Sequence, residues 1–459
     1  MEYGEEEPVS PTGQYMSSSV LNLITLAFLE FQVPIDDLQI LDLIKDQFLP
    51  INPRFSSKMA EDESGLKKWK RVEVDLQEHV KIPKFPPSEF VYDEYLDEYV
   101  AEISMNPLSR TRPLWEIHVI KYKTSNAAAT VIFKLHQALG DGYSLIGALL
   151  STLKRADDPS LPLTFPSRQS SSKVNQNNAV NILKRATKVF SGIVDTVLDF
   201  GGFLVRGEDD PTPIRSGKQG VEFQQLEYTT LTFSLDQIRQ VKDILKVTVN
   251  DLIMGIILYG IRVYMRGEKH ESMKAAATAM LLFNTRSVEG GYNSVSEMLK
   301  RDSAMPWGNQ ITATHVNIPK LMAKTNSYSE LEEFVLKIHE STQRKKNSSA
   351  IFLTGLFIDG VRKFKGSEAA ARFIHSDIRK SSLVLSNLIG PMEQMALADH
   401  PVKGLYFTFS GAPLSLGMNV ISYMGNLRVA IASEKGFIDQ LKLKACVQEA
   451  FDTIFASLL

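Results

Sequence analysis

Residues 131–153, VIFKLHQALGDGYSLIGALLSTL, constrain this 459-residue chain most tightly. The run 131–135 is short, apolar and β-branched at its start, which predicts a buried strand. Gly140, Asp141 and Gly142 break it, and Leu145, Ile146, Leu149, Leu150 and Leu153 then recur at helical spacing. A strand that ends in a polar turn and re-enters as a helix holds side chains rigidly at a sheet edge, where sites often lie. The turn at 136–142 is where this strand would present such side chains.

At this length two domains are the natural expectation. Apolar content of 44% with 23% charged residues is ordinary for a folded globular chain. The net charge of −2 and pI of about 6.5 carry no broad basic signature, so no nucleic-acid partner is expected. The single cysteine, Cys446, excludes an internal disulfide or a cysteine metal cluster and suits a reducing compartment. The eight histidines show no HExxH-type spacing, and no metal is expected. Residues 1–16 are acidic, lack the basic-then-apolar order of a secretory signal, and read as a flexible tail. No run of eighteen uncharged apolar residues is present, so no membrane-spanning helix is expected.

Along the chain, residues 17–31 read as a capped helix or a strand–helix element, with N-cap hydroxyls at 17–19. Residues 33–62 should be helix and then turn. Residues 68–80 alternate at period two and should form a half-exposed strand. After a proline-rich stretch at 82–87, Pro113, Leu114 and Trp115 open a strand over 115–120 in which Trp115 serves as a core anchor. Residues 167–178 are polar and low in complexity, a linker or exposed loop. Residues 182–198 carry an apolar helical stripe flanked by Lys184, Arg185 and Lys188. Such a helix either lies on a membrane surface or crosses between domains with its stripe buried. Residues 167–225 thus separate an N-terminal domain at 17–166 from a C-terminal one at 226–459.

In the second half, Ser234 is placed to cap a helix over 235–245. Asn250 and Asp251 precede a helix over 252–265 that is apolar on nearly every face, and a helix N-cap accounts for the pair. Asn284-Thr285-Arg286 and Trp307-Gly308-Asn309 read as a strand end and a turn. Strands at 405–410 and 419–423, the turn 424–426 and the run 427–432 give a hairpin signal, and 439–459 an amphipathic closing helix.

Several of these segments resemble the ordered motifs of the wax ester synthase/diacylglycerol acyltransferase family, closest to its plant members. His136-Gln137-Ala138-Leu139-Gly140-Asp141-Gly142 resembles the HHxxxDG signature, with Gln137 at the second histidine. Pro113-Leu114-Trp115 is similar to the PLW motif, Asn250-Asp251 to the ND motif, and Asn284-Thr285-Arg286 and Gly308-Asn309 to further family elements. Ser386 to Pro391 and Asn419 to Tyr423 match two more. Each is weak alone. Their shared order along essentially the whole chain is what carries the resemblance.

The resemblance implies a two-domain, chloramphenicol-acetyltransferase-like α/β fold, with a tunnel at the domain interface that receives acyl-CoA from one side and an alcohol from the other. It implies an O-acyltransferase that makes wax esters from fatty alcohol or triacylglycerol from diacylglycerol, with acyl-CoA a substrate and no cofactor. It also implies that the second histidine takes the acceptor's proton and that Asp141 fixes the loop by pairing with a basic group. A carboxamide is not basic at neutral pH, so Gln137 can hydrogen-bond a hydroxyl but cannot carry its proton. His136 either faces away from the tunnel, as strand alternation requires, or is bent into it by the turn. Two readings follow: an acyltransferase, or a catalytically impaired paralogue that binds acyl-CoA or lipid. Insoluble acceptors and the basic helix at 182–198 point to peripheral association with the cytosolic face of the endoplasmic-reticulum membrane, or else the plasma membrane.

Overall fold

In the computed structural model, residues 7–456 are described apart from 64, 89, 166–195, 197–198, 285, 287–294, 301–302, 304–305, 322–327 and 349. The linker at 167–178 and nearly all of the amphipathic segment 182–198 lie outside the described residues.

Two mixed sheets organise the chain. The first has seven strands in the order Val80–Lys81, Trp115–Ile120, Ala129–His136, Ile24–Phe31, His400–Ser410, Met395–Leu397 and Lys154–Arg155. The second has six, in the order Ile311–Asn317, Thr278–Asn284, Leu383–Leu388, Leu416–Tyr423, Asn426–Glu434 and Leu226–Ser234. A small sheet of Glu7–Pro8, Lys67–Arg71 and Ser57–Glu61 flanks the first.

The sequence expectation of a helix within 17–31 is corrected. Ile24–Phe31 is a strand at the heart of the first sheet, buried at all eight positions between Ala129–His136 and His400–Ser410. A strand covered on both faces loses the period-two pattern that would distinguish it from a helix. The expected flexible tail is also corrected for residues 7–16. Glu7–Pro8 pairs with Lys68 and Trp69, Glu7 reaches Arg54 at 2.6 Å, and Pro11–Met16 is a helix capped by Ser10.

The second half of the chain is not one self-contained unit. His400–Ser410 leaves it and pairs with Ile24–Phe31 in the first sheet, so a cut at residue 226 does not separate the two cores. The crossing is locked by charge as well as backbone. Arg428 of the second sheet makes a two-pronged pair with buried Glu30 of the first at 2.6 and 2.8 Å, and its guanidinium lies 4.8 Å from the Tyr406 ring centre.

The helix Val249–Glu268 fills the centre of the second core, with Leu252 to Met265 buried at every position. Its N-cap is Thr248, whose hydroxyl accepts from the Asp251 amide at 3.1 Å, so the Asn250-Asp251 pair sits inside the first turn instead of capping it. Ser234 caps Leu235–Leu245 as expected. The hairpin Leu416–Tyr423 to Asn426–Glu434 turns through Met424 and Gly425, both at positive φ (49° and 72°), as a tight two-residue hairpin turn requires. Among the described residues no single helix is long and apolar enough to cross a membrane.

Candidate acyl-transfer site

The strand Ala129–His136 ends at the predicted turn, and the helix Gly142–Ser151 starts where the glycines placed it. Asp141 caps that helix, its Oδ1 accepting from the Ser144 amide at 2.9 Å. The same carboxylate forms a fully buried two-pronged pair with Arg286, at 2.7 and 3.2 Å, and accepts from the Gln310 amide at 2.8 Å. Arg286 also donates to the carbonyls of Pro306 and Gly308 and to Asn284 Oδ1. Asp141 thus ties the motif loop of the first sheet to a strand end of the second.

The turn at 307–309 completes the clamp. Trp307 Nε1 donates to the Leu139 carbonyl at 2.9 Å, Asn309 Nδ2 donates to the Gln137 carbonyl at 2.9 Å, and Ser144 and Gly308 exchange hydrogen bonds. The sequence placed Asn284, Arg286, Gly308 and Asn309 far from the motif in number. The structure brings them all onto it.

His136 and Gln137 face opposite ways, as strand alternation dictates. Both nitrogens of His136 are committed: Nδ1 accepts from the Ala138 amide at 2.9 Å, and Nε2 lies 2.6 Å from Asn22 Oδ1, to which it donates. Burial, with Arg110 and Lys67 nearby, pushes its pKa down to about 3. His136 is therefore a neutral, fully partnered histidine set behind the loop, and it does not line the cavity described next.

That cavity, about 350 Å³, lies between the two sheets, and Gln137, Gly142 and Tyr143 form its wall on the motif side. The second sheet contributes Met280, Leu282, Asn284, Ile311, Ala313, Val384, Ser386 and Leu388. The N-terminal helix contributes Pro11, Thr12, Tyr15 and Met16, and helices Ala350–Lys365 and Ser367–Arg379 close the far side. The lining is mostly aliphatic and aromatic, as a hydrocarbon chain requires. Gly142 is part of the wall because it lacks a side chain; a Cβ there would stand 3.1 Å from Leu388 Cδ1.

At the motif end, Gln137 Nε2 donates to Thr25 Oγ1 at 2.7 Å, while its Oε1 is buried with no hydrogen-bond partner. A buried acceptor left open costs free energy unless something donates to it. At the far end, Asp377 lines the cavity and stands 3.6 Å from His315; burial raises the Asp377 pKa to about 6 and lowers that of His315 to about 3. Sequence reasoning gave neither residue a role, since nothing local distinguishes a lone Asp on a helix or a His within a strand. His315 pairs with Met280, four residues before Asn284, so this end is about 14 Å along the sheet from the motif at ~3.4 Å per residue.

The remaining motif residues divide by location. Asn250 accepts from Asn387 Nδ2 at 2.8 Å, and Asn387 lines the cavity, so two motifs distant in sequence meet at one wall. Asp251 turns inward to His339 and Thr342, each at 2.7 Å; burial opposes its charge, but these partners and Lys346 outweigh it and hold its pKa below the usual value. Pro113, Leu114 and Trp115 do not line the cavity. Trp115 is wholly buried, donating to the Phe55 carbonyl at 2.8 Å and stacking on His79, which makes it a packing anchor beneath the motif strand.

Comparison with known proteins agrees with this geometry. Residues 41–253 match the model of the wax ester synthase/diacylglycerol acyltransferase catalytic domain, and residues 307–455 match that of the WS/DGAT C-terminal domain. Wax ester synthase/diacylglycerol acyltransferase 4 of Arabidopsis thaliana is 27% identical over 93% of this chain and 85% of its own length. The Arabidopsis protein numbered 7 in the same series is 27% identical over 100% and 99%. Among solved structures, the wax ester synthase/diacylglycerol acyltransferase from Marinobacter aquaeolei VT8 superposes with a TM-score of 0.61 at 14% identity, covering 98% of this chain and 99% of that one. A trichothecene 15-O-acetyltransferase from Fusarium sporotrichioides shares the fold with a TM-score of 0.58 at 11% identity, over 98% and 95%. The fold is thus the two-domain α/β architecture of the CoA-dependent acyltransferases. With both family models matched in order and the motif loop clamped between the sheets, the chain belongs to the wax ester synthase/diacylglycerol acyltransferase family of acyltransferases.

Proposed function

We propose that this chain transfers a fatty acyl group from acyl-CoA to the hydroxyl of a long-chain alcohol, giving a wax ester, or of diacylglycerol, giving triacylglycerol. The observation that carries the reading is the apolar cavity that ends at the open carbonyl oxygen of Gln137, within a chain of this family. The acceptor's O–H donates to Gln137 Oε1 and is held against the thioester carbonyl. The hydroxyl oxygen attacks that carbon, the C–S bond breaks, and the hydroxyl proton ends on the departing thiolate. Acyl-CoA is consumed as a substrate, and the chemistry calls for no cofactor or metal. Positioning carries the catalysis, since reactants held in attack geometry gain a large share of the barrier. Without a general base the rate falls short by roughly 10²–10⁴-fold.

Gln137 also favours a second reading, in which the chain binds acyl-CoA or lipid without turning it over. Transfer of label from radiolabelled palmitoyl-CoA to hexadecanol and to diacylglycerol separates the two. Ester formation above a heat-denatured control is expected; binding of palmitoyl-CoA without any ester product leaves the second reading in place.

The proposed location is the cytosolic face of the endoplasmic-reticulum membrane, held peripherally, with the plasma membrane as a further site. The insolubility of both acceptors supports it. Carbonate washing of microsomes should release the protein into the supernatant. Retention through the wash, or a wholly cytosolic protein beforehand, would contradict it.

A further inference from the structure

We infer that the helix Ala350–Lys365 is a membrane-docking wall, one face closing the acyl cavity and the opposite face seated on an anionic lipid surface. The inference rests on the proposed use of water-insoluble acceptors and names the surface through which they arrive.

The helix turns one side to the cavity and the opposite side to solvent. Thr354, Gly355, Ile358, Asp359 and Arg362 line the cavity. Leu353, Leu356 and Phe364 point outward, the last two 69% and 92% exposed. At about 100° per residue the three outward residues fall within an arc of about 80°, and the cavity-lining set occupies the other side of the helix. A helix covering a core buries its apolar stripe and shows water a polar one. Here the side turned to solvent keeps its large apolar side chains.

The stripe does not stand alone. Residues 199–205 are helical and pack Phe203 against Phe357 and Phe373, with ring centres 6.2 and 5.4 Å apart. The next two residues, Leu204 and Val205, are left outward, Val205 at 84% exposure. Phe203 itself lines the cavity, so this second helix also has one side on the cavity and one on solvent.

Charge decides what covers the patch. At the exposed end of the helix Lys363 and Lys365 stand on either side of Phe364, whereas Arg344 and Lys345 of the preceding helix pair with Asp199 and Lys346 with Asp251. Asp359 is held by Arg362 and Lys363 at 2.7 and 2.8 Å. Exposed aromatic and leucine side chains flanked by lysine are the composition of a helix that lies in the headgroup layer of an anionic bilayer. An apolar cavity directly behind that layer lets a lipid acceptor pass from bilayer to site with little exposure to water.

Flotation with phosphatidylcholine vesicles, with and without phosphatidylserine, tests the surface. The wild-type chain should float with the serine-containing vesicles and be released by high salt. Leu356→Glu/Phe364→Glu should reduce flotation at least tenfold, with esterification of vesicle-borne diacylglycerol falling in parallel and that of a water-soluble short-chain alcohol unchanged. Phe364→Trp gives a probe that needs neither turnover nor a disruptive change, because Trp69, Trp115 and Trp307 are all buried. Its emission should be quenched by brominated phospholipid. Wild-type flotation by the double variant, or an unquenched Trp at position 364, overturns the inference. Vesicle binding without any ester formation would instead fault the proposed activity and leave the docking surface standing.

Discussion

Gln137→His is expected to raise acyl transfer about 10²-fold while leaving acyl-CoA affinity nearly unchanged. The side chain at this position lines the cavity, and its backbone is pinned from both sides, by the Leu23 carbonyl on its amide and by Asn309 on its carbonyl. An imidazole there points the same way as the carboxamide, and Thr25 Oγ1 remains in place as a partner for one ring nitrogen. The other nitrogen then meets the acceptor hydroxyl with a pKa near working pH, which a carboxamide cannot offer. The readout is kcat with hexadecanol, beside palmitoyl-CoA binding. No gain in a folded variant that still binds acyl-CoA would mean that the cavity has diverged beyond one residue, and the non-catalytic reading would move ahead.

Asp141→Asn should cost stability at least as much as it costs turnover. The Asp141–Arg286 pair is wholly buried, and removing one partner of such a pair costs about 3–5 kcal/mol because the other charge is left uncompensated. For a chain of this size that is about a 3–5 °C fall in melting temperature. Arg286→Ala should do the same, since it frees the loop of the first sheet from the strand end of the second. A purified Asp141→Asn protein that keeps its melting temperature and loses all transfer would show that Asp141 acts on the substrate, and the architectural role would be wrong.

The motif's local structure was legible because it is written in short-range terms. An apolar β-branched run, two glycines around an aspartate and a helical leucine stripe can be read without any partner. Asp141's need for a basic partner came from the family likeness, but the identity of Arg286 as that partner depended on the packing of two sheets across 145 residues of chain. Ile24–Phe31 was misread because complete burial erases alternation. The role of Pro11–Met16 as a cavity wall was hidden by its acidic, unpatterned surroundings, although Ser10 followed by Pro11 is itself a helix-start signal. The position of His136 was half legible: alternation set it opposite Gln137, and only Asn22, 114 residues away, shows that its second nitrogen is taken.

If acyl transfer here is organised around Gln137 with no histidine as base, the pH dependence of kcat/KM should reveal it. His136, with its pKa held down to about 3, does not titrate between pH 5.5 and 7.5, and neither does a carboxamide. The wild-type profile should therefore lack a histidine limb in that range, whereas Gln137→His should acquire one, its rate falling as pH drops through about 6.5. A wild-type profile that already falls through about 6.5, and loses that limb in His136→Gln, would mean that His136 is the base.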